Sequence, residues 1–179
     1  MLIPISFIDA RGRKVRRPKR APILWRISAY TMVFHGGKIL TVIPTWNTLF
    51  ELPGGEAHVK ESIITAAERE CYEETGFRVR IHDNLPIHFG EEWFYSWPKK
   101  TFYHSTFFVF VAKLITKRQD LSVINTKDGN EIANVQWVDP RTCTKKNTHR
   151  IVYPAIQHVT RLIKVKDHQL KRWWLLSCR

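Results

Sequence analysis

Cysteine is scarce in this chain, with 3 in 179 residues, and Cys71, Cys143 and Cys178 lie far apart. An odd, scattered set argues against a disulfide framework and a metal-ligand cluster, and for reduced thiols in a cytoplasmic setting. Long apolar runs are also missing, so neither a transmembrane helix nor a membrane partner is expected. The opening MLIPISFIDA is followed, not preceded, by basic residues, which is not the order of a secretory signal. Acidic residues are the third shortage: 16 Asp and Glu stand against 29 Lys and Arg, a net charge of +13.

What is present is ordinary in amount and uneven in layout. Hydrophobic residues make up 44% and charged residues 25%, the proportions of a globular protein. The length suits one domain with a proper core rather than two. Residues 11–20, RGRKVRRPKR, hold seven basic side chains and no acid, and residues 145–179 hold nine against Asp167 alone. Residues 51–74 concentrate seven of the sixteen acids. Basic ends of this kind either steer polyanions and bind RNA by counterion release, or stay a solvated arm and helix face.

Taken in order, the chain reads as strands around two helices. Residues 1–20 form a basic arm or an early strand. Residues 23–42 hold two β-rich stretches about His35, Gly36, Gly37 and Lys38, the pattern of a hairpin. Strands are expected over 77–81, 85–96 and 101–114, with a basic turn at residues 97–100. Residues 120–132, with Asp128, Gly129 and Asn130, predict a loop leading into the short strand EIANVQWVD. A last helix starts near Pro154, with Val152, Ala155, Ile156, Val159, Leu162 and Ile163 as its apolar stripe. The tail KRWWLLSCR would be a sticky patch unless packed on the core or in a homodimer.

The most informative stretch is residues 55–77, GEAHVKESIITAAERECYEETGF. Pro53, Gly54 and Gly55 end an apolar run in a bend with backbone room to spare. From about Ser62 the periodicity is helical, with Ile64, Ala67 and Cys71 along one stripe. Glu70, Glu73 and Glu74 share the other face, where offsets of three and four stack side chains. Like charges crowded there repel. A hard divalent cation, which takes a few carboxylate oxygens plus water and phosphate, would turn that repulsion into binding.

Gly55, Glu61, Arg69-Glu70-Cys71, Glu73-Glu74 and Gly76-Phe77 stand at the spacing of the Nudix box, and the chain resembles the Nudix hydrolases. The one departure is Cys71 where the family usually has an aliphatic residue, a matter of packing rather than chemistry. The close resemblance covers residues 55–77 and a looser one residues 29–163. It implies an α+β fold, an αβα sandwich with a mixed sheet, in a domain over 21–165. Residues 1–20 and the Trp-containing extension 166–179 fall outside it. It implies that Glu70, Glu73, Glu74 and the Gly55 carbonyl hold Mg2+, with Mn2+ as the other candidate, and that Glu61 and Arg69 orient them. It implies hydrolysis of a pyrophosphate bond in a nucleoside diphosphate linked to another moiety, with Glu73 or Glu131 as the base. Glu131 is otherwise a plain loop carboxylate. Phe50, Trp93 and Tyr95 are either stacking surfaces for a base or packing residues of the sheet. The alternatives are a non-catalytic RNA- or nucleotide-binding module and an enzyme acting on RNA 5′ ends.

Overall fold

The computed structural model describes residues 5–124 and 131–164, with the side chains of Leu162, Ile163 and Lys164 outside the description. The loop residues 125–130, the tail KRWWLLSCR with Cys178, and the whole segment 166–179 lie outside the described residues. The elements are β1 (Phe7–Ile8), β2 (Lys14–Val15), β3 (Ile23–His35), β4 (Lys38–Pro44), β5 (Gly54–Glu56) and α1 (Ile63–Thr75). They continue with β6 (Val79–Ile81), β7 (His88–Ser96), β8 (Thr101–Leu114), β9 (Ile132–Val138) and α2 (Tyr153–Lys164). The sheet runs β2-β1-β7-β8-β3-β4-β9, with β5 added to β3 and β6 to β8. It is mixed: β3 and β8 are parallel over eleven residue pairs, from Ile23↔Phe102 to Val33↔Ala112, while β7 and β8 are antiparallel.

Each helix covers one face. Ala66, Ala67 and Cys71 of α1 are fully buried against Ala29, Val33, Leu40, Phe110 and Ala112. Small side chains at the contact let the helix axis sit close to the sheet. Cys71 is therefore a packing residue, and burial pushes its thiol up to about 12. On the other face Val152, Ala155, Ile156 and Val159 pack on Met32, Phe34, Ile39, Leu52, Phe107 and Val109. Each such apolar side chain taken from water is worth roughly 1.5–3 kcal/mol. The two helices and the sheet between them make the αβα sandwich.

The ends of α1 follow local chemistry. Ser62 Oγ accepts from the Thr65 amide at 3.0 Å, and Gly76 closes the helix at φ 71°, a left-handed conformation that favours glycine. The His35-Gly36-Gly37-Lys38 hairpin pairs His35 with Lys38. The strand expected over 85–96 begins only at His88, and residues 121–123 make one 3-10 turn inside the expected loop. Residues 16–22 connect β2, at the edge of the sheet beyond β1 and β7, to the start of β3, which pairs with the start of β8 at Ile23↔Phe102. Among the described residues no helix is long and apolar enough to cross a membrane.

Candidate active site

The bend ahead of α1 is built for close approach. β5 lies on β3 with Ala29 opposite Gly55 and Tyr30 opposite Gly54. A Cβ on Gly54 would sit 2.3 Å from the Ala29 carbonyl oxygen, and one on Gly55 would sit 2.7 Å from the Glu70 carboxyl carbon. At Gly54 only glycine leaves the backbone where it is, while at Gly55 a side chain would displace the Glu70 carboxylate. The Gly54 amide donates to Glu74 Oε2 at 2.9 Å, which ties the bend to the last turn of the helix.

Arg69 fastens the other side. Its Nε and Nη2 donate to Glu61 at 3.1 and 2.7 Å, a forked pair of the kind a guanidinium makes well. Nη2 also donates to the Glu56 carbonyl at 3.0 Å. Nη1 donates to Glu70 Oε1 at 2.8 Å and to Glu73 Oε2 at 3.0 Å. Glu61 accepts in addition from the His58 amide at 2.9 Å. The Arg69 hydrogen bonds hold the Glu61 carboxyl down to about 2. Burial acts the other way on the remaining carboxylates. It raises Glu70, and it raises Glu74 well above the usual range, with Glu70, Glu51 and Glu131 adding like-charge repulsion at Glu74.

A second polar set lies beside the first. Burial pushes the Tyr30 hydroxyl above its ordinary range, and Arg26, Glu51, Glu92 and Glu74 are the charges it feels. Glu51 accepts from Asn47 Nδ2 at 3.0 Å, and burial pushes it up to about 7. Arg150 Nη2 donates to Glu92 Oε2 at 2.7 Å, while buried Arg26 Nε has no hydrogen-bond partner among the described residues and lies 3.7 Å from Glu56 Oε2. Through Glu74 this set is continuous with the Arg69 network. Glu51, Glu92, Arg26, Arg150 and Tyr30 were not singled out by motif; only Glu51, next to the glycine bend, had a local signal.

A model of the NUDIX domain matches residues 25–158. The chain belongs to that family. Its class is accordingly that of the Nudix pyrophosphohydrolases, enzymes of nucleotide-derived substrates that generally use divalent metals. No curated protein matches the chain. Solved structures do. An ADP-ribose pyrophosphatase from Streptococcus suis aligns at 14% identity over 79% of this chain and 92% of that one, with a TM-score of 0.52. The MutT protein from Methanosarcina mazei aligns at 18% over 81% and 98%, with a TM-score of 0.58. A UDP-X diphosphatase aligns at 19% over 83% and 68%, with a TM-score of 0.57. At such identities the likeness shows the fold.

Within the Nudix frame, Glu61, Arg69, Glu70 and Glu73 come together around one guanidinium, and Gly54, beside Gly55, meets Glu74. Glu131 ends its loop next to Thr45, whose amide donates to the Glu131 carbonyl at 2.8 Å, and its charge reaches Glu74. Phe50 packs partly buried against the core under α2, and its amide donates to the Asn147 carbonyl at 2.8 Å. Trp93 stacks on His104 with ring centres 3.9 Å apart, and Tyr95 meets Trp97 and Phe102 at 4.9 and 4.5 Å. These rings serve the sheet and are not gathered with the box carboxylates. The donor set suits a hard cation: oxygen ligands only, partly buried, with like charge to be neutralised. Among the described residues no three His, Cys, Asp or Glu side chains already converge on one point. Glu70 and Glu73 would exchange their Arg69 hydrogen bonds for such an ion.

Proposed function

We propose that the chain hydrolyses a pyrophosphate bond in a nucleoside diphosphate linked to another moiety, in a divalent-cation-dependent reaction. The observation that carries this is the junction of bend and helix. Gly54 on Glu74, and Arg69 on Glu61, Glu70, Glu73 and the Glu56 carbonyl, fix four carboxylates around one backbone turn. Glu70, Glu73, Glu74 and the Gly55 carbonyl would hold Mg2+, or Mn2+. When bound, such an ion neutralises charge on the phosphate oxygens and lowers the pKa of water. Arg69 and Glu61 hold the helix and bend in register. Glu73 or Glu131 takes the proton from the attacking water, and the phosphorus–oxygen bond of the anhydride breaks to give two phosphate-bearing products.

The second polar set supports a substrate that extends past its phosphates. Glu51, Arg26 and the Glu92–Arg150 pair offer donors and acceptors beside Glu74, as a polar moiety such as a base or sugar requires. The catalytic unit is residues 21–165, with 1–20 and 166–179 as additions to it. Buried, unpaired Cys71 and Cys143 suit a reducing cytoplasm.

The test is a panel of nucleotide sugars, dinucleoside polyphosphates, nucleoside triphosphates and 5′-triphosphorylated RNA, each with and without Mg2+ or Mn2+. Cation-dependent turnover of a nucleoside diphosphate conjugate is the expected result. Turnover of none of them by folded protein would leave the non-catalytic binding module as the better reading. Preference for the RNA would make it an enzyme of RNA 5′ ends.

A further inference from the structure

The end of the sheet where the β7–β8 turn meets the start of β3 carries two features that the proposed hydrolysis does not use. The first is a stack of rings. His104 lies between Trp93, at 3.9 Å and 12°, and Trp25, at 4.1 Å and 38°. All three project from the sheet face that carries α1, beyond the part that helix covers. Trp25 shields His104 on one side and remains 70% exposed, while Trp97 in the adjoining turn is 54% exposed. A tryptophan held against a ring beneath it, with its outer face open, is an ordered stacking surface.

The second feature is charge. Residues 11–20, with seven basic side chains and no acid, follow β1 and include β2, which pairs through β1 with the end of β7 that leads into this turn. The segment is anchored there. Buried Asp9 accepts from the Arg11 and Arg13 amides at 2.9 Å, from Arg13 Nε at 2.8 Å and from Trp97 Nε1 at 2.9 Å. That network fixes the basic segment to the turn bearing Trp97. Lys14, Arg16, Lys19 and Arg20 remain exposed. Nearby acids are already engaged: Glu91 with His104 at 3.0 Å and Glu56 with Lys99 at 3.1 Å.

We propose that this surface binds single-stranded nucleic acid, with Trp25 and Trp97 stacking bases and the segment bearing Lys14, Arg16, Lys19 and Arg20 tracking phosphates. Exposed rings beside a basic track are what strand binding without sequence readout requires. A protein partner is disfavoured because the centre of a protein interface is depleted of charge, and here a basic segment is tied to the turn that bears one of the rings. The surface reads π-faces and phosphates, so RNA and DNA strands bind comparably and a duplex, its bases stacked away, binds less well.

Fluorescence anisotropy tests this, using a fluorescein-labelled oligouridylate of about twelve nucleotides, full-length protein and EDTA to prevent hydrolysis. The wild type binds, and its affinity falls with salt with a logarithmic slope of about 0.7 per phosphate contacted. Trp25→Leu weakens binding about tenfold with the slope unchanged, and Trp25→Phe restores most of it. The triple variant Arg16→Ala, Lys19→Ala, Arg20→Ala lowers the slope by about 2. The proposal is overturned if the wild type does not bind at low salt, or if Trp25→Leu binds as tightly as Trp25→Phe. Equal binding of a duplex overturns it as well. So does sedimentation showing self-association that Trp25→Leu abolishes, which would give the rings to a second copy of this chain.

Discussion

Gly54 and Glu74 lie 20 residues apart and are joined by a 2.9 Å hydrogen bond from amide to carboxylate oxygen. The neighbouring Gly55 faces a different carboxylate, Glu70, so two adjacent glycines answer to different constraints. Gly54→Ala drives a methyl into the Ala29 carbonyl and the Tyr30 Cα, at 2.3 and 2.6 Å, which backbone cannot yield cheaply. It should cost about 3 kcal/mol or more. Gly55→Ala meets only the mobile end of Glu70, at 2.7–2.9 Å. It should fold at near wild-type stability and lose most turnover. Urea midpoints and initial rates on the same preparations check both, and equal destabilisation by the two changes would contradict the account.

Arg69 pairs with Glu61, Glu70 and Glu73 at 2.7, 2.8 and 3.0 Å. Arg69→Met leaves those carboxylates facing one another, partly buried. Breaking such a network should cost about 3 kcal/mol without metal. Millimolar Mg2+ should return part of that stability to the variant, because a divalent ion supplies the missing charge, and should stabilise the wild type less. Thermal melts with and without Mg2+ measure the difference. An equal response of the two proteins would separate these carboxylates from cation binding.

Glu73 and Glu131 are the two candidates for taking the proton from water. Glu73→Gln keeps its size and its acceptor for Arg69, so the fold should persist while turnover falls at least about a hundredfold. Glu131→Gln distinguishes the two. If Glu131 is the base, its variant loses the acid limb of the pH–rate profile. If Glu73 is, the Glu131 variant keeps that limb and changes rate only modestly. Near wild-type turnover of Glu73→Gln at saturating Mg2+ would remove Glu73 from the reaction.

How much of this could be read from the chain divides along a physical line. The limits of α1 were legible because Ser62 and Gly76 act on backbone groups three or four residues away. The β3–β4 hairpin was legible because two glycines between β-rich runs permit few other turns. The Arg69 network was half legible: its i,i+4 bond to Glu73 follows from helix geometry, but its bond to the Glu56 carbonyl requires β5 to lie on β3. Of the second polar set only Glu51, beside the glycine bend, had a local signal, and the set's assembly had none. Arg150 and Glu92 are 58 residues apart and meet because α2 packs on the face from which alternate residues of β7 project. Asp9 and Trp97, 88 residues apart, are likewise joined only by the register of β1 on β7. Local signals report caps, turns and one helix face. Side chains that meet across the sheet are set by tertiary packing.

Glu51 belongs to that unpredicted set and makes stability depend on pH. Burial raises its carboxyl from 4.5 to about 7, so the folded chain holds this proton more tightly than the unfolded one. Below pH 4.5 the group is protonated in both states, and its full contribution to stability is present. As pH rises to about 7 that contribution is lost, and above it the buried charge carries its whole cost. Glu51→Gln keeps an acceptor for Asn47 and removes the titration. The variant and the wild type should therefore be about equally stable at acid pH and diverge on the way to neutrality. Above neutrality the variant should be the more stable, by up to roughly 3 kcal/mol. Urea unfolding of both proteins across that range reads the difference directly. Parallel curves would mean that Glu51 titrates as a solvated carboxylate and that the polar set beside Glu74 is open to water.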